Sequence, residues 1–295
     1  MAKRKGKISS GAIKSILVAL VAVIVVAGAI FGITQIKNLG EKAVTSEIIP
    51  EPIDPESLLS PEERAYVGQI KRTYSRSPKL ESIIANIDKY TPSMMKSLML
   101  REEMIEYIEG FPTAEQKGFE NAKNIDISDE YTKGKIPLFI QWDKRWGYET
   151  YGTDVFGLNG CGPTAMAMVY VGLTGDTSMN PLKMGEFCID NGYYYDYQGT
   201  SNDLYNVGAG KLGLTVRQIS VAGESVRENL QLGRPIIVHV LKGDFTSEGH
   251  FIVLTGIDSD GKIIINDPNS PKKSKKTWDL DRIIGQAASM WAFSK

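Results

Sequence analysis

The chain has 295 residues, 42% of them apolar and 23% charged, with a formal net charge of −1. That is ordinary globular composition, with room for a large core and one or two domains. Five basic residues fall within the first 14; setting those five apart from the 34 Lys and Arg leaves 29 against 35 Asp and Glu, a mildly acidic remainder that argues against nucleic-acid binding.

The run from Ser15 to Ile36 is uncharged and rich in Val, Ile, Ala and Leu. At about 1.5 Å of rise per residue it can cross roughly 30 Å of hydrocarbon, and we read 15–36 as a transmembrane signal anchor. Lys3, Arg4, Lys5, Lys7 and Lys14 precede it without an acidic residue among them. The positive-inside bias therefore places the tail 1–14 in the cytoplasm and everything after Lys37 outside. The rival is a cleaved signal peptide and a secreted product, with Ala27-Gly28-Ala29 as the small-x-small site. The apolar stretch continues past that site through Ile30, Phe31 and Ile33, longer than the usual roughly 7 to 15 residues, which favours the uncleaved anchor.

Residues 37–59 read as a linker, because Ile49-Pro50-Glu51-Pro52-Ile53-Asp54-Pro55 cannot hold a helix. Ser60-Pro61, Ser77-Pro78 and Thr91-Pro92 then each set a capping hydroxyl before a first-turn proline, and Glu63 completes a capping box at the first. These starts predict a small helical stem over 60–134. In it Leu98, Met104, Ile105 and Ile108 line one face, which is read as packing rather than a binding groove. The polar stretch from Glu115 to Gly134 connects to a domain over 135–295.

That domain starts with helices, predicted near 162–173, 182–190, 202–212 and 224–232. Strands follow near 214–221, 235–241, 251–257 and 262–266, with another at 289–293, and Asp260-Gly261 is a hairpin turn between two of them. Helices first and strands afterwards predict an α+β fold with an antiparallel sheet.

Only two cysteines and two histidines occur. Cys161, in Gly160-Cys161-Gly162-Pro163-Thr164, opens a helix, and a helix N-terminus or an imidazolium stabilises the thiolate that acts as nucleophile. Alone, this pattern fits a structural cysteine equally well. His250 follows Ser247-Glu248-Gly249 at the mouth of a strand, where a ring can face a cleft, whereas His239 sits mid-strand in Ile236-Ile237-Val238-His239-Val240 and suits a packed position. Asp267 ends the strand across the hairpin and is the group expected to orient His250; Asn266 is its neighbour on the opposite face, so only one of the two can serve. Gln141, in Ile140-Gln141-Trp142-Asp143, is the upstream side chain best suited to donate to an oxyanion, together with the Cys161 N–H. A cysteine, a histidine and a carboxylate in this order point to a cysteine peptidase.

An exported pair of cysteines invites a disulfide, but a Cys161–Cys188 bridge would consume the nucleophile. Cys188 lies in an apolar helical pattern with Leu182, Gly185 and Ile189 and is expected to be a core thiol. No metal site is expected: the histidines and cysteines are widely spaced, and Asp258-Ser259-Asp260-Gly261 lacks the later glutamate of a calcium loop. No phosphate-cradling glycine loop occurs either, so no cofactor is expected. The basic cluster Lys272, Lys273, Lys275 and Lys276 reads as a solvated loop, with contact to an anionic cell-envelope surface as the alternative.

Taken in order, Ile136-Pro137, Gln141-Trp142-Asp143, Trp146, Gly160-Cys161-Gly162-Pro163-Thr164-Ala165, Gly233-Arg234-Pro235, Gly249-His250-Phe251-Ile252-Val253 and Asn266-Asp267-Pro268 resemble the free-standing bacterial relatives of bacteriocin-processing, double-glycine-leader peptidases, which are papain-like cysteine peptidases. The resemblance covers about 135–295. It implies a two-lobed fold, Cys161 as nucleophile, His250 as base, Asp267 as orienting acid and Gln141 as oxyanion donor, with a peptide or protein as substrate. Gln141 stands farther from the cysteine than in the transporter-fused enzymes, and transporter domains are missing, so cleavage after a double glycine does not carry over. Two other readings share these residues: a cell-wall amide hydrolase or transferase using the same triad, and a non-catalytic binding module on a peptidase fold.

Overall fold

The computed structural model describes residues 60–74 and 78–295, which belong to one compact unit. The expected tail, membrane span and linker lie outside the described residues. Among the described residues, no helix is long and apolar enough to cross a membrane.

The helical segment starts where proline and capping signals place it, with α1 at Pro61–Tyr74, α2 at Pro78–Ala85 and α3 at Pro92–Leu100. Thr91 caps α3 by accepting from the Met94 N–H at 3.2 Å. The expected single stripe through Leu98 to Ile108 is broken. Helix α3 ends at Leu100, Arg101 is extended (φ −146°, ψ 94°), Glu102–Met104 make a 3-10 turn, and α4 spans Ile105–Gly110. Leu98, Met104 and Ile108 are nonetheless buried in one cluster with Val67, Ile70 and Ile83, while Ile105 is half-buried.

That cluster does not end at the stem. Tyr148 and Val155 belong to it, and Trp142 and Leu158 pack against it. Tyr107 stacks on Tyr148 at 4.7 Å, donates its hydroxyl to the Gly147 carbonyl at 2.6 Å, and its backbone carbonyl accepts from Tyr148 at 2.9 Å. The segment expected to be a stem is thus packed into the side of the 135–295 region.

Within that region, helix α5 (Cys161–Thr174) and helix α6 (Pro181–Asp190) lie on one side of a six-stranded sheet. The strands are β1 Thr215–Ile219, β2 Ile236–Val240, β3 His250–Ile257, β4 Ile263–Asn266, β5 Thr277–Trp278 and β6 Ala287–Ser294, in the order β1-β6-β2-β3-β4-β5, with every pairing antiparallel. Alternation assigns their side chains: Ile237, Phe251, Val253, Trp291 and Phe293 face α5, while Ile236, Val238, Ile252, Leu254 and Met290 face α7 (Gly223–Gln231) and α8 (Leu280–Ile284). The expected α+β class and antiparallel sheet are present. The two-residue strand β5 and two short hairpins, 150–155 and 194–200, carry too few residues to show a period-two pattern.

Candidate active site

Cys161 is the first residue of α5, capped by Gly160, so its backbone N–H has no acceptor within the helix. The helix from Gly162 to Val169 is fully buried, and it ends at Gly175, which adopts the left-handed conformation (φ 77°) that stops a helix cleanly. Gly162 is needed for close approach: a Cβ there would sit 2.6 Å from Thr200 Cβ. Cys161 itself stays half-exposed at the mouth of a cavity of about 220 Å³.

His250 opens β3, and Asp267 follows the last residue of β4 on the adjacent strand. Both are buried, at 4% and 0% exposure, and His250 Nε2 lies 2.8 Å from Asp267 Oδ1. The ring's other nitrogen, Nδ1, is left free of Asp267, and Cys161 lines the same cavity as the ring. Burial works to lower the His250 pKa; the Asp267 charge and hydrogen bond, then Cys161, overcome it and raise it from 6.5 to about 9. The ring is therefore an imidazolium at neutral pH, held at Nε2 by the carboxylate.

The carboxylate is held by its own turn. Asp267 Oδ1 also accepts from the Asn269 N–H at 2.8 Å, an Asx turn in Asp267-Pro268-Asn269, and the Asp267 N–H donates to Ser274 Oγ at 2.9 Å. Asn266 points elsewhere: its Nδ2 donates to the carbonyls of Ile136 (3.1 Å) and Pro137 (2.9 Å). Of the two neighbours, Asp267 is the one at the ring.

Gln141 reaches the same cavity through that docked segment, its N–H donating to the Pro268 carbonyl at 2.7 Å. Its amide Nε2 donates to the carbonyls of Gly157 (2.9 Å) and Leu158 (3.2 Å), so the donor expected for an oxyanion is engaged with backbone in this structure. His239 lies apart from Asp267, its ring 4.7 Å from that of Phe251, and burial and the His250 charge lower its pKa. Cys188 is a free, fully buried thiol that burial pushes up to about 12. Among the described residues no cluster of His, Cys, Asp and Glu could hold a metal ion.

The basic cluster is more ordered than a solvated loop. Pro271–Ser274 form a helical turn capped by Ser270, and Lys273 donates to the Phe245 carbonyl at 3.1 Å. Glu103 of the stem accepts from Ser270 Oγ (3.0 and 2.9 Å) and from the Lys272 N–H (3.0 Å). Sequence reasoning missed this clamp, which joins residues 167 apart, and it missed Arg101 on the cavity wall, where the only signal was one arginine closing an apolar run.

The sequence pattern of the Peptidase_C39 like family matches residues 133–294. The chain belongs to that family. It is a papain-like cysteine peptidase, a family in which substrates are peptides. Among solved structures, the peptidase domain of Streptococcus ComA, a bi-functional ABC transporter involved in a quorum-sensing pathway, is similar at 24% identity and a TM-score of 0.36, over 46% of this chain and 93% of that one. No curated protein matches the chain. The Peptidase_C39 like match begins downstream of Arg101 and Glu103, so the helical wall of the cavity lies outside it.

Proposed function

We propose that the chain is a membrane-anchored, extracytoplasmic cysteine peptidase that hydrolyses peptide bonds through Cys161, His250 and Asp267. One observation carries the assignment of roles: a single buried ring, His250, is paired with the Asp267 carboxylate and lines the same cavity as Cys161. The Cys161 thiolate attacks the scissile carbonyl carbon, forming a C–S bond and an oxyanion. The oxyanion is met by the Cys161 N–H and by Gln141, which releases its longer bond to Leu158. Collapse breaks the C–N bond while His250 gives its proton to the leaving amine, and a thioester remains. Water, deprotonated by the same ring, then attacks the thioester, and the carboxylic acid product and the thiol are released. Asp267 holds the ring throughout and stabilises its charged form.

The location rests on the uncharged run 15–36 and the basic residues before it. The full-length protein is tested on a peptide library and on purified peptidoglycan. New peptide N-termini that disappear in Cys161→Ala support the peptidase, whereas wall fragments support the amide hydrolase or transferase. Stoichiometric iodoacetamide labelling of Cys161, slowed roughly 10²- to 10⁴-fold in His250→Ala, supports the base role; an inert Cys161 would favour a non-catalytic module. In intact cells, a membrane-impermeant thiol reagent labels Cys161 if the domain lies outside, and labelling only after lysis refutes that placement.

A further inference from the structure

The cavity at Cys161 has two kinds of wall. Gln141, Cys161 and His250 come from the region that the family pattern covers, and Ser97, Leu100 and Arg101 come from the end of α3. Arg101 is placed by the helix stop: its N–H closes α3 on the carbonyls of Ser97 (2.9 Å) and Leu98 (3.2 Å), and its extended backbone turns the side chain away from the helix path. The residue is half-buried and its Nε is shielded from solvent. Among the described residues that atom has no hydrogen-bond partner, and no carboxylate lies within ion-pair distance of the guanidinium.

The nearby carboxylates are committed elsewhere. Glu248 pairs with Lys96, Asp154 accepts from the Val155 N–H at 2.8 Å, and Glu103 holds Ser270 and Lys272. Burial works against the Arg101 charge, and the groups whose fields favour it are Asp267, then Cys161, then Glu103. Arg101 is thus a planar cation beside the reacting thiol with donors to spare, and the partner best matched to such a fork is a carboxylate.

We infer that Arg101 is a specificity-determining residue that binds a carboxylate of the substrate next to the scissile bond, with α3 forming a fixed wall of that subsite. The wall shares its cavity with Cys161 and His250, so the recognised carboxylate lies close to the scissile bond. Either a chain-terminal α-carboxylate or an Asp or Glu side chain supplies that chemistry. The inference rests on the peptidase reading of Cys161.

Two thiol reagents of nearly equal size separate this idea from that reading: iodoacetate carries the carboxylate and iodoacetamide does not. On the full-length protein, the ratio of iodoacetate to iodoacetamide rate constants at Cys161 is expected to exceed the ratio for glutathione by roughly tenfold. Arg101→Gln is expected to abolish that excess, and Arg101→Lys, which keeps the charge without the fork, to retain part of it. A wild-type ratio equal to that of glutathione overturns the inference, as does an excess that survives in Arg101→Gln; either leaves the peptidase reading intact. A Cys161 inert to both reagents overturns both. Paired peptides, with C-terminal acid against amide and internal Glu against Gln, identify the source of the carboxylate. A preference in neither pair, with peptides otherwise cut, also refutes the subsite.

Discussion

Asp267→Asn keeps an oxygen for the Asn269 N–H and for the His250 ring while removing the charge. In the native protein that charge decides the state of the ring, since burial by itself lowers the His250 pKa and Asp267 is the main opposing influence that brings it to about 9. The net rise from 6.5 to about 9 corresponds to about 3 kcal/mol at about 1.36 kcal/mol per pH unit, which is what remains of the Asp267 and smaller Cys161 contributions after burial has opposed them. Because the folded value lies above the unfolded one, this stabilisation is complete below pH 6.5 and is lost as the pH rises through about 9. Asp267→Asn is therefore expected to be less stable than wild type by about 3 kcal/mol at a pH near 6, with a difference that shrinks above the native His250 pKa. Urea unfolding of both full-length proteins on either side of that pKa measures it. In the proposed mechanism the same ring sets the alkaline limb of peptidase activity, since a neutral imidazole cannot protonate the leaving amine. In wild type that limb falls near pH 9, and the substitution should move it to lower pH. An equal stability difference at both pH values, or an unmoved limb, would show that Asp267 does not control the charge of His250.

Gly162→Ala forces a methyl group to within 2.6 Å of Thr200 Cβ and is expected to cost about 1–3 kcal/mol in thermal or urea unfolding; an unchanged midpoint would mean that the 194–200 hairpin yields without cost. Tyr107→Phe removes the 2.6 Å hydrogen bond to the Gly147 carbonyl and should destabilise the protein by about 1 kcal/mol, because that carbonyl keeps its second donor, the Gly157 N–H at 2.7 Å. A loss near zero would deny the stem a polar anchor on the peptidase region. Cys188, buried and pushed up to about 12, should resist iodoacetamide in the folded protein, so mass spectrometry at pH 7.5 is expected to find one alkyl group per chain and two only after unfolding. Two groups on the native protein would contradict the packing of α6.

What the sequence disclosed follows from how local each signal is. The starts of α1, α2 and α3 were legible because a capping hydroxyl and a proline act within one turn, and Gly160-Cys161-Gly162-Pro163 marked the start of α5 for the same reason. Strands β2, β3, β4 and β6 showed through their apolar β-branched and aromatic residues, and His250 and Asp267 could be brought together because one hairpin relates their strands. Arg101 could not be read this way. Its place on the cavity depends on α3 stopping one residue earlier and on a packing partner tens of residues downstream, and no window of local sequence contains either. Gln141 was located through resemblance, but the direction of its amide is set by the carbonyls of Gly157 and Leu158, which become neighbours only when the chain folds.

The shared apolar cluster of Tyr107, Tyr148, Val155 and their neighbours divides labour within the cleft. The sheet holds the ring and carboxylate, whereas the helices before residue 113 supply a separate face beside them. Changes in those helices can therefore reshape the cavity without disturbing the proposed Cys161, His250 and Asp267 triad. The same arrangement means that a chain trimmed to the family boundary at 133 would lose more than its first segments: Trp142, Tyr148 and Leu158 would turn apolar surface to solvent, and the cavity beside Cys161 would lose a wall.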